Sequence, residues 1–238
     1  MKYIFSEESI DYKNYKFGYS VNIIIENNNL IEDCFSKGFL PFTGDIDFNK
    51  EIYYLARSIR VNLNLYQRQS ENLRVIKNFE KKHKINFSVK SKESFNHSQE
   101  FKNFCINYSK ERFLNNSLSK KRLDLILNRK NYNRIFTFSI DDKNTGYVLA
   151  YENTDIIHYW FAFYNTKLLK KFHIGKYMME QIIYYAKNKK KKYLYLGTCY
   201  GEKALYKVRD FKGIEFFDGR KWNNKINLLK EMCKNDLI

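Results

Sequence analysis

Apolar residues occur in short runs over the first part of the chain. Residues 21–25, 52–55 and 59–65 are such runs, and turn residues including Gly38 and Gly44 separate them. Short apolar runs bounded by turn residues are typical of strands. The pattern therefore predicts a small strand-rich N-terminal unit over residues 1–80.

The spacing changes to that of helices in the next segment. Between residues 98 and 130, apolar side chains recur three and four positions apart, which places them on one face of a helix. The positions are Phe101, Phe104, Cys105, Tyr108, Leu118, Leu123, Leu125 and Ile126. We expect two amphipathic helices here, forming a helical connection over residues 81–130.

The last part, residues 131–238, alternates strands with helices. The pattern predicts a hairpin with strands at 134–140 and 146–151 around the turn at 141–144, and an aromatic strand at 156–164. A helical pattern then runs from about 177 to 186. A strand at 193–197, a helix at 203–209 and a strand at 213–217 complete the order, and the fold class is α/β.

Charge favours a polyanionic partner. The 238 residues include 43 basic and 26 acidic ones, a net charge of +17, and a 44% hydrophobic share excludes disorder as the main state. Nucleic acid is the partner that this balance indicates. The alternative is a compositional bias toward lysine, since asparagine, isoleucine and tyrosine are also abundant.

Cysteine spacing and hydropathy indicate a cytoplasmic protein. Cys34, Cys105, Cys199 and Cys233 lie far apart, so no zinc motif or disulfide framework is predicted. The first residues contain no sustained apolar stretch, and no 18-residue apolar run occurs. We therefore expect neither secretion nor a membrane location.

A basic segment precedes the helix of the last part. Gly175 lies in the loop just before the helical pattern, and Lys170, Lys171 and Lys176 surround it. Free N–H groups and the helix dipole at such a start attract phosphate or pyrophosphate. In the alternative reading, Gly175 only permits close helix packing and the lysines are solvated.

Residues 170–217 resemble a GCN5-related N-acetyltransferase (GNAT) fold. That fold holds the pyrophosphate of acetyl-CoA on an R/Q-x-x-G-x-G/A loop, where this chain has KKFHIG, with Lys170 at the basic position, His173 in place of the first glycine and Gly175 at the second. The stretch ALYKVRDF also matches the later tyrosine-bearing helix. The resemblance implies a GNAT-like mixed sheet flanked by helices.

The chain resembles one group within that fold more closely, the aminoacyl-tRNA-protein transferases that extend protein N-termini with arginine or leucine. The matching segments are Phe163-Tyr164, 174–177, 193–197, Tyr206-Lys207, Phe211 and Glu215. Weaker matches at Arg60, Tyr66 and Arg74 extend the resemblance to residues 35–80 and 158–222. It implies transfer of Leu or Arg from aminoacyl-tRNA to protein N-termini beginning with Asp or Glu.

The resemblance also implies roles for individual residues. Tyr206 and Lys207 are the catalytic candidates, with Tyr206 as a donor to the oxyanion or to the departing ribose oxygen. Substrate and tRNA binding fall on Lys170, Lys171, His173, Gly175, Lys176, Tyr164, Tyr195, Gly197 and Arg209. Acceptor binding falls on Arg57, Arg60 and Arg74, whose guanidinium groups suit a carboxylate. Packing of Tyr206 between helix and sheet, and surface ion pairing of the arginines, are the alternatives.

Several positions depart from the family. Its N-terminal cysteines, proposed there for metal or cluster binding, fall on Lys50, Tyr53 and Ala56, so we expect no metal and no cofactor besides the aminoacyl-tRNA co-substrate. Leu40-Pro41 replaces a pair of arginines, and Asn165-Thr166 replaces Asp-Pro. A catalytically degenerate tRNA-binding module is therefore one alternative.

An acetyl-CoA-dependent N-acetyltransferase is the other alternative. Acetylating lysine requires a base, because its amine titrates near about 10.4 whereas an α-amine titrates near about 7.7 to 8.0. Glu180 and His158 are candidates by residue type only, and we expect Glu180 to face solvent and His158 to be packed. The lysines of 187–192 are a possible phosphate track or a solubilising helix end.

Overall fold

The computed structural model describes residues 1–43, 51–68, 70–113, 118–168, 173–209 and 211–236. Its strands are β1 (Lys2–Asp11), β2 (Lys16–Ile25), β3 (Phe39–Pro41), β4 (Glu51–Leu55), β5 (Ser58–Asn62), β6 (Ile85–Ser91), β7 (Arg134–Ile140), β8 (Lys143–Glu152), β9 (Ile156–Tyr164), β10 (Tyr193–Thr198), β11 (Ile214–Phe217) and β12 (Trp222–Asn223). Its helices are α1 (Ile31–Ser36), α2 (Ser70–Glu80), α3 (Gln99–Phe113), α4 (Lys120–Asn128), α5 (Ile174–Asn188), the short α6 (Tyr206–Arg209) and α7 (Ile226–Asn235).

Eight strands form one mixed sheet in the order β12-β11-β5-β10-β9-β8-β7-β6. The β9–β10 pair is parallel, whereas the other pairs of this sheet are antiparallel. Helices flank the sheet, and α5 makes the crossover between β9 and β10, as a parallel pair requires. The predicted class, α/β with a mixed sheet flanked by helices, is confirmed.

A second, antiparallel sheet in the order β1-β2-β4-β3 forms the predicted strand-rich N-terminal unit. Its buried side chains pack with those of α1 and with residues of the large sheet that include Ile156 and Tyr195. Phe35 lies at the centre of this cluster, with its ring centroid 5.2 Å from that of Tyr195 and 6.0 Å from that of Tyr53. The small sheet therefore covers part of one face of β9 and β10.

Strands β9 and β10 pair over only three register positions and then diverge. The pairs run from Tyr193 with Ile156 to Tyr195 with His158, although β9 continues to Tyr164. Beyond this point the register of β9 with β8 shifts around Trp160, which is a β-bulge. A bulge bends its strand and re-aims the following side chains, so the two strands separate at their carboxyl ends.

The helix pattern explains how α5 sits on the sheet. Met178, Ile182, Ile183 and Ala186 have no solvent exposure and belong to the main core cluster. Their spacing of three and four residues keeps them on one helix face. The predicted helical pattern over 177–186 is thus confirmed, and the helix begins three residues earlier, at Ile174.

The predicted hairpin is also confirmed. Its strands are β7 and β8, and the two residues between them, Asp141 and Asp142, have φ values of 50° and 64°. Two successive positive φ angles define the type I′ turn, whose twist suits a two-residue hairpin. Aspartate tolerates this conformation better than most residues do.

The three-part division predicted from the sequence remains a prediction. Strand β5 from residues 1–80 and strand β6 from residues 81–130 both pair into the large sheet with strands from 131–238. The three segments are therefore joined by main-chain hydrogen bonds. Among the described residues, no helix combines the length and apolar character needed to span a membrane.

Candidate active site between the diverging strands

A cavity of about 640 Å³ lies where β9 and β10 separate. Its walls come from the carboxyl ends of these two strands, from α3 and α4, from β3 and β4, and from the short helix α6 that follows β10. Trp160, Phe161 and Phe113 give it aromatic surface, while Tyr206, Lys207 and Arg122 contribute polar groups. The wedge between strands thus forms an amphipathic pocket open to solvent.

Lys207 places an ammonium group in this wedge. Its Nζ donates to the carbonyl oxygens of Leu196 at 3.1 Å and Thr198 at 3.0 Å. The residue between them, Gly197, has a φ of 82°, and the register with β5 shifts there. A glycine is needed for that backbone conformation. Burial lowers the pKa of Lys207.

Tyr206 lies beside Lys207 and is the more accessible of the two. Its side chain is 47% exposed, so it is not a core residue, and it lines the cavity together with Tyr108 and Tyr159. Burial raises the pKa of Tyr108 and of Tyr159. These phenols therefore stay protonated and can donate hydrogen bonds at neutral pH.

His158 lines the same cavity and is buried, as predicted, with 1% exposure. It is the last β9 residue paired with β10, and its ring centroid lies 4.6 Å from that of Phe35. Its buried Nδ1 has no hydrogen-bond partner among the described residues. Burial, with a further contribution from the Lys207 charge, lowers the pKa of His158 to about 3, so the imidazole is neutral at working pH.

Arg122 is the second cation of the cavity. It is in the first turn of α4, whose N-terminus is capped by the Ser119 hydroxyl accepting from the Arg122 main-chain N–H at 3.1 Å. The guanidinium Nε is buried without a hydrogen-bond partner in the described part of the chain. No Asp or Glu is among the described residues that line the cavity, so the charged side chains of this described lining are cations.

Gly175 is not among the described residues that line this cavity. The ring of Tyr164 fills the space next to Gly175, where an added Cβ would lie 3.3 Å from two ring carbons. His173 precedes the helix with a φ of 49°, and its carbonyl oxygen accepts from the N–H groups of Lys176 and Tyr177. Lys170 and Lys171 lie outside the described residues. The Gly175 turn is half-buried and covered on its Tyr164 side.

The predicted acceptor arginines occupy different settings. Arg57 forms a bidentate pair with Asp236, at 2.8 and 3.0 Å, which ties β5 to the end of α7. The Arg60 Nε lies 2.7 Å from Glu215 Oε2. Its guanidinium is sandwiched between the rings of Tyr193 and Trp222, at 3.7 and 4.0 Å from the centroids. These two groups are engaged within the fold.

Three further predicted residues lie away from the cavity. Tyr195 is 1% exposed and lies in the small-sheet cluster, where its hydroxyl accepts from Arg60 at 3.4 Å. Arg74 is exposed on α2, and Arg209 is exposed at the end of α6. Of the predicted site residues, Tyr206, Lys207 and Gly197 are the ones that the structure brings together at the cavity.

Glu180 does not face solvent, so that expectation was wrong. It is 1% exposed, and its carboxylate accepts hydrogen bonds from the Tyr66 hydroxyl, at 2.6 Å, and from the Asn72 amide. Arg68 Nε lies 3.5 Å away. These groups replace water around the buried carboxylate and fix α2 and the segment before it to α5.

The lysines of 187–192 lie at the opposite end of α5 from its cavity-facing residue Met179. Several of these lysines contact main-chain or carboxylate oxygens of the same chain. Lys187 donates to the Tyr66 carbonyl at 2.8 Å, Lys191 lies 3.2 Å from Glu152, and Lys192 lies 2.6 Å from Asp155. A phosphate track along this tract stays a prediction.

Sequence reasoning missed Arg122 and ranked His158 low. Arg122 has no neighbouring motif, because α4 and β10 are brought together only by the fold. His158 carried one signal, a single imidazole inside a strand of aromatic residues, and that signal is equally typical of packing. Only the cavity distinguishes the two interpretations.

No protein family model and no curated protein matches this sequence. Similar solved structures include the C-terminal domain (DUF2156) of a protein described as a lysylphosphatidylglycerol synthetase, from Agrobacterium fabrum. It shows 10% identity and a TM-score of 0.45, and the match covers 75% of this chain and 54% of that one. L-PGS from Bacillus licheniformis shows 15% identity and a TM-score of 0.44 over 74% and 51%. FemX shows 8% identity and a TM-score of 0.48 over 82% and 69%.

The chain thus spans about half the length of the first two structures. Likeness at this level carries no information on substrates or on the roles of residues.

Proposed function

We propose that this protein transfers an aminoacyl group, leucyl or arginyl, from aminoacyl-tRNA to the N-terminal α-amine of proteins that begin with Asp or Glu. The observation that carries the proposal is the cationic cavity between β9 and β10, which contains Lys207 and Arg122 and no carboxylate among its described lining residues. Both the choice of amine and the binding of an acidic acceptor follow from this charge.

A lining without Asp or Glu among its described residues favours one kind of amine. A lysine side chain titrates near about 10.4 and needs a base to become a nucleophile, whereas an α-amine titrates near about 7.7 to 8.0 and is partly neutral at working pH. A site with two cations also disfavours a bound ammonium. The cavity therefore suits an α-amine that enters in its neutral form.

The polar groups of the cavity match the needs of ester aminolysis. The amine nitrogen attacks the ester carbonyl carbon, a C–N bond forms, and the ribose oxygen leaves with the electron pair of the C–O bond. The Lys207 ammonium, held by two strand carbonyls, stabilises the oxyanion. The Tyr206 hydroxyl gives its proton to the ribose oxygen and receives one from the amine nitrogen. Tyr206 therefore ends the reaction in the protonation state in which it began.

The aromatic walls suit the end of an RNA strand. Unpaired bases stack on aromatic side chains, and Trp160, Phe161 and Phe113 offer such surfaces at the cavity. A net charge of +17 favours the tRNA body electrostatically. Tyr164 covers one side of the Gly175 turn, which gives a coenzyme pyrophosphate less room there than an open glycine turn.

Arg122 supplies the acceptor specificity in this proposal. Its guanidinium carries a buried nitrogen without a partner in the described residues, and such a group gains most from a charged acceptor. The phosphate nearest to an aminoacyl ester lies on the far side of the terminal ribose. We therefore assign a carboxylate of the acceptor, rather than a phosphate of the tRNA, to Arg122.

The proposal is tested by offering three donors to one acceptor peptide. The purified chain is incubated with a peptide that begins with Asp and with Leu-tRNA, Arg-tRNA or acetyl-CoA as the donor. Mass spectrometry then measures the mass of the product peptide. A peptide extended by leucine or arginine supports the proposal. Acetylation alone supports the coenzyme-dependent alternative, and an unchanged peptide with tRNA retained supports a binding module.

A further inference from the structure

His158 is a polar residue that the proposed reaction leaves unused. Its side chain is 1% exposed and lines the cavity. An imidazole buried without a hydrogen bond loses its interactions with water and gains nothing in return. In the described part of the chain, Nδ1 is such an atom.

The place of His158 in the fold points to the reacting centre. It is the last residue at which β9 pairs with β10, and the bulge at Trp160 follows directly. Lys207, which is anchored to the carbonyls of β10, lies close enough for its charge to affect the imidazole. The two residues therefore line the same cavity near the point where β9 and β10 separate.

We propose that His158 accepts a hydrogen bond from the acceptor amine and so aims the amine lone pair at the ester carbonyl. This role rests on the proposed function. The imidazole is neutral, so one ring nitrogen offers a lone pair whichever tautomer is present. His158 does not take up the proton, which passes from the amine to Tyr206 as the ribose oxygen leaves.

Chemistry at the cavity favours His158 over its neighbours for this task. The Lys207 ammonium has no lone pair, and neither has the Arg122 guanidinium. The buried phenols of Tyr108 and Tyr159 can accept, but an imidazole nitrogen is the stronger acceptor for an amine N–H.

Shape-matched pairs of variants test the inference. Asn and Leu have the same outline, and so do Gln and Met, while the amides place an acceptor near Nδ1 or Nε2. We expect His158→Leu and His158→Met to lower kcat/KM for an Asp-initiated peptide about 100-fold through lost orientation. At least one of His158→Asn and His158→Gln should restore most of the lost kcat/KM. All four variants should still bind tRNA.

A control variant removes an imidazole elsewhere. His83, which lies 3.1 Å from Asp141 at the β7–β8 turn, is changed to Leu, and activity should stay within about twofold of wild type. Transfer by His158→Leu at the wild-type rate would refute the role proposed for His158 and would not contradict the proposed function. Loss of activity by all four variants alike, with tRNA still retained, would end it too.

Absence of transfer by the wild-type chain, with any aminoacyl-tRNA, would instead end the proposed function together with this role. Should the variants fail to fold, the wild-type chain still decides. The imidazole nitrogen signals of His158, followed by NMR while the dipeptide Asp-Ala is added, should shift on binding. Signals that stay unchanged while Asp-Ala binds would refute the proposed hydrogen bond.

Discussion

The ammonium nitrogen of Lys207 lies 3.0 Å from the carbonyl oxygen of Thr198, beyond the point where β10 stops pairing with β9. The same ammonium donates to Leu196. A side chain from α6 thus provides donors to a strand end that has separated from its neighbour. The contact fixes a positive charge at the inner wall of the cavity, where it can act on a bound amine and on an oxyanion.

Replacing Lys207 should change how transfer depends on pH. The Lys207 charge disfavours a second cation, so it lowers the pKa of a bound acceptor amine. In Lys207→Met, the amine pKa rises and the alkaline increase of kcat moves to higher pH. In this variant Arg122 remains a cation and His158 stays neutral. The shift of the kcat–pH profile therefore measures the effect of the Lys207 charge on the pKa of the acceptor amine. The exposed Lys203→Met should leave the profile unchanged, and an unshifted profile in Lys207→Met would contradict this account.

Removing the Tyr206 hydroxyl should slow the chemical step. We expect Tyr206→Phe to lower kcat about 100-fold, within the range for a lost proton donor, and to leave KM for the peptide nearly unchanged. Because Tyr206 is 47% exposed, the free energy of unfolding of Tyr206→Phe should differ from that of the wild-type protein by less than about 0.5 kcal/mol. Steady-state kinetics check the first expectation, and full activity would remove Tyr206 from the mechanism.

Arg122 should determine the preference for acidic acceptors. Arg122→Gln is expected to raise KM about tenfold or more for a peptide that begins with Asp, and to leave KM unchanged for one that begins with Ala. The exposed Arg220 receives the same substitution as a control and should affect neither. A weaker retention of tRNA with an unaltered peptide KM would instead assign Arg122 to the donor.

Burial of His158 should make the protein sensitive to acid. Its pKa is 6.5 when exposed and about 3 in the fold, so the unfolded chain binds a proton that the folded chain excludes. Stability is therefore fully present above about pH 6.5 and falls as the pH drops toward 3. At about pH 5 the loss amounts to about 2 kcal/mol.

Denaturant unfolding at pH 7 and pH 5 measures this effect. The wild-type chain should lose about 2 kcal/mol more than His158→Gln between the two values, and other histidines cancel in the difference. Equal losses in the two proteins would show that His158 is not buried as a neutral imidazole.

Local patterns sufficed for much of the fold. The strand over 156–164 and the strand over 134–140 match β9 and β7 at both ends, because the alternation and turn residues that define them are local. Helices α2 and α7 were missed. Ile76 and Phe79 in α2, and Leu229 and Cys233 in α7, are buried at spacings of three and four residues, a signal too short to stand out beside strands.

The site was less predictable because it depends on tertiary contacts. Tyr206 and Lys207 were found because a single motif contains both. Arg122 reaches the cavity from α4, and its importance comes from the loss of water around it, which no local pattern records. Conversely, Arg60 fits the family pattern, but Glu215, Tyr193 and Trp222 enclose it, and these partners lie far away in the sequence.

Selection of the α-amine by a cavity whose described lining residues include no carboxylate is tested most directly with one peptide that offers both kinds of amine. A peptide with an N-terminal Asp and one internal lysine is incubated with the chain and with Leu-tRNA or Arg-tRNA. Tandem mass spectrometry then locates the added residue. The account predicts an aminoacyl group on the α-nitrogen alone, and modification of the lysine, or no aminoacyl transfer at all, would contradict it.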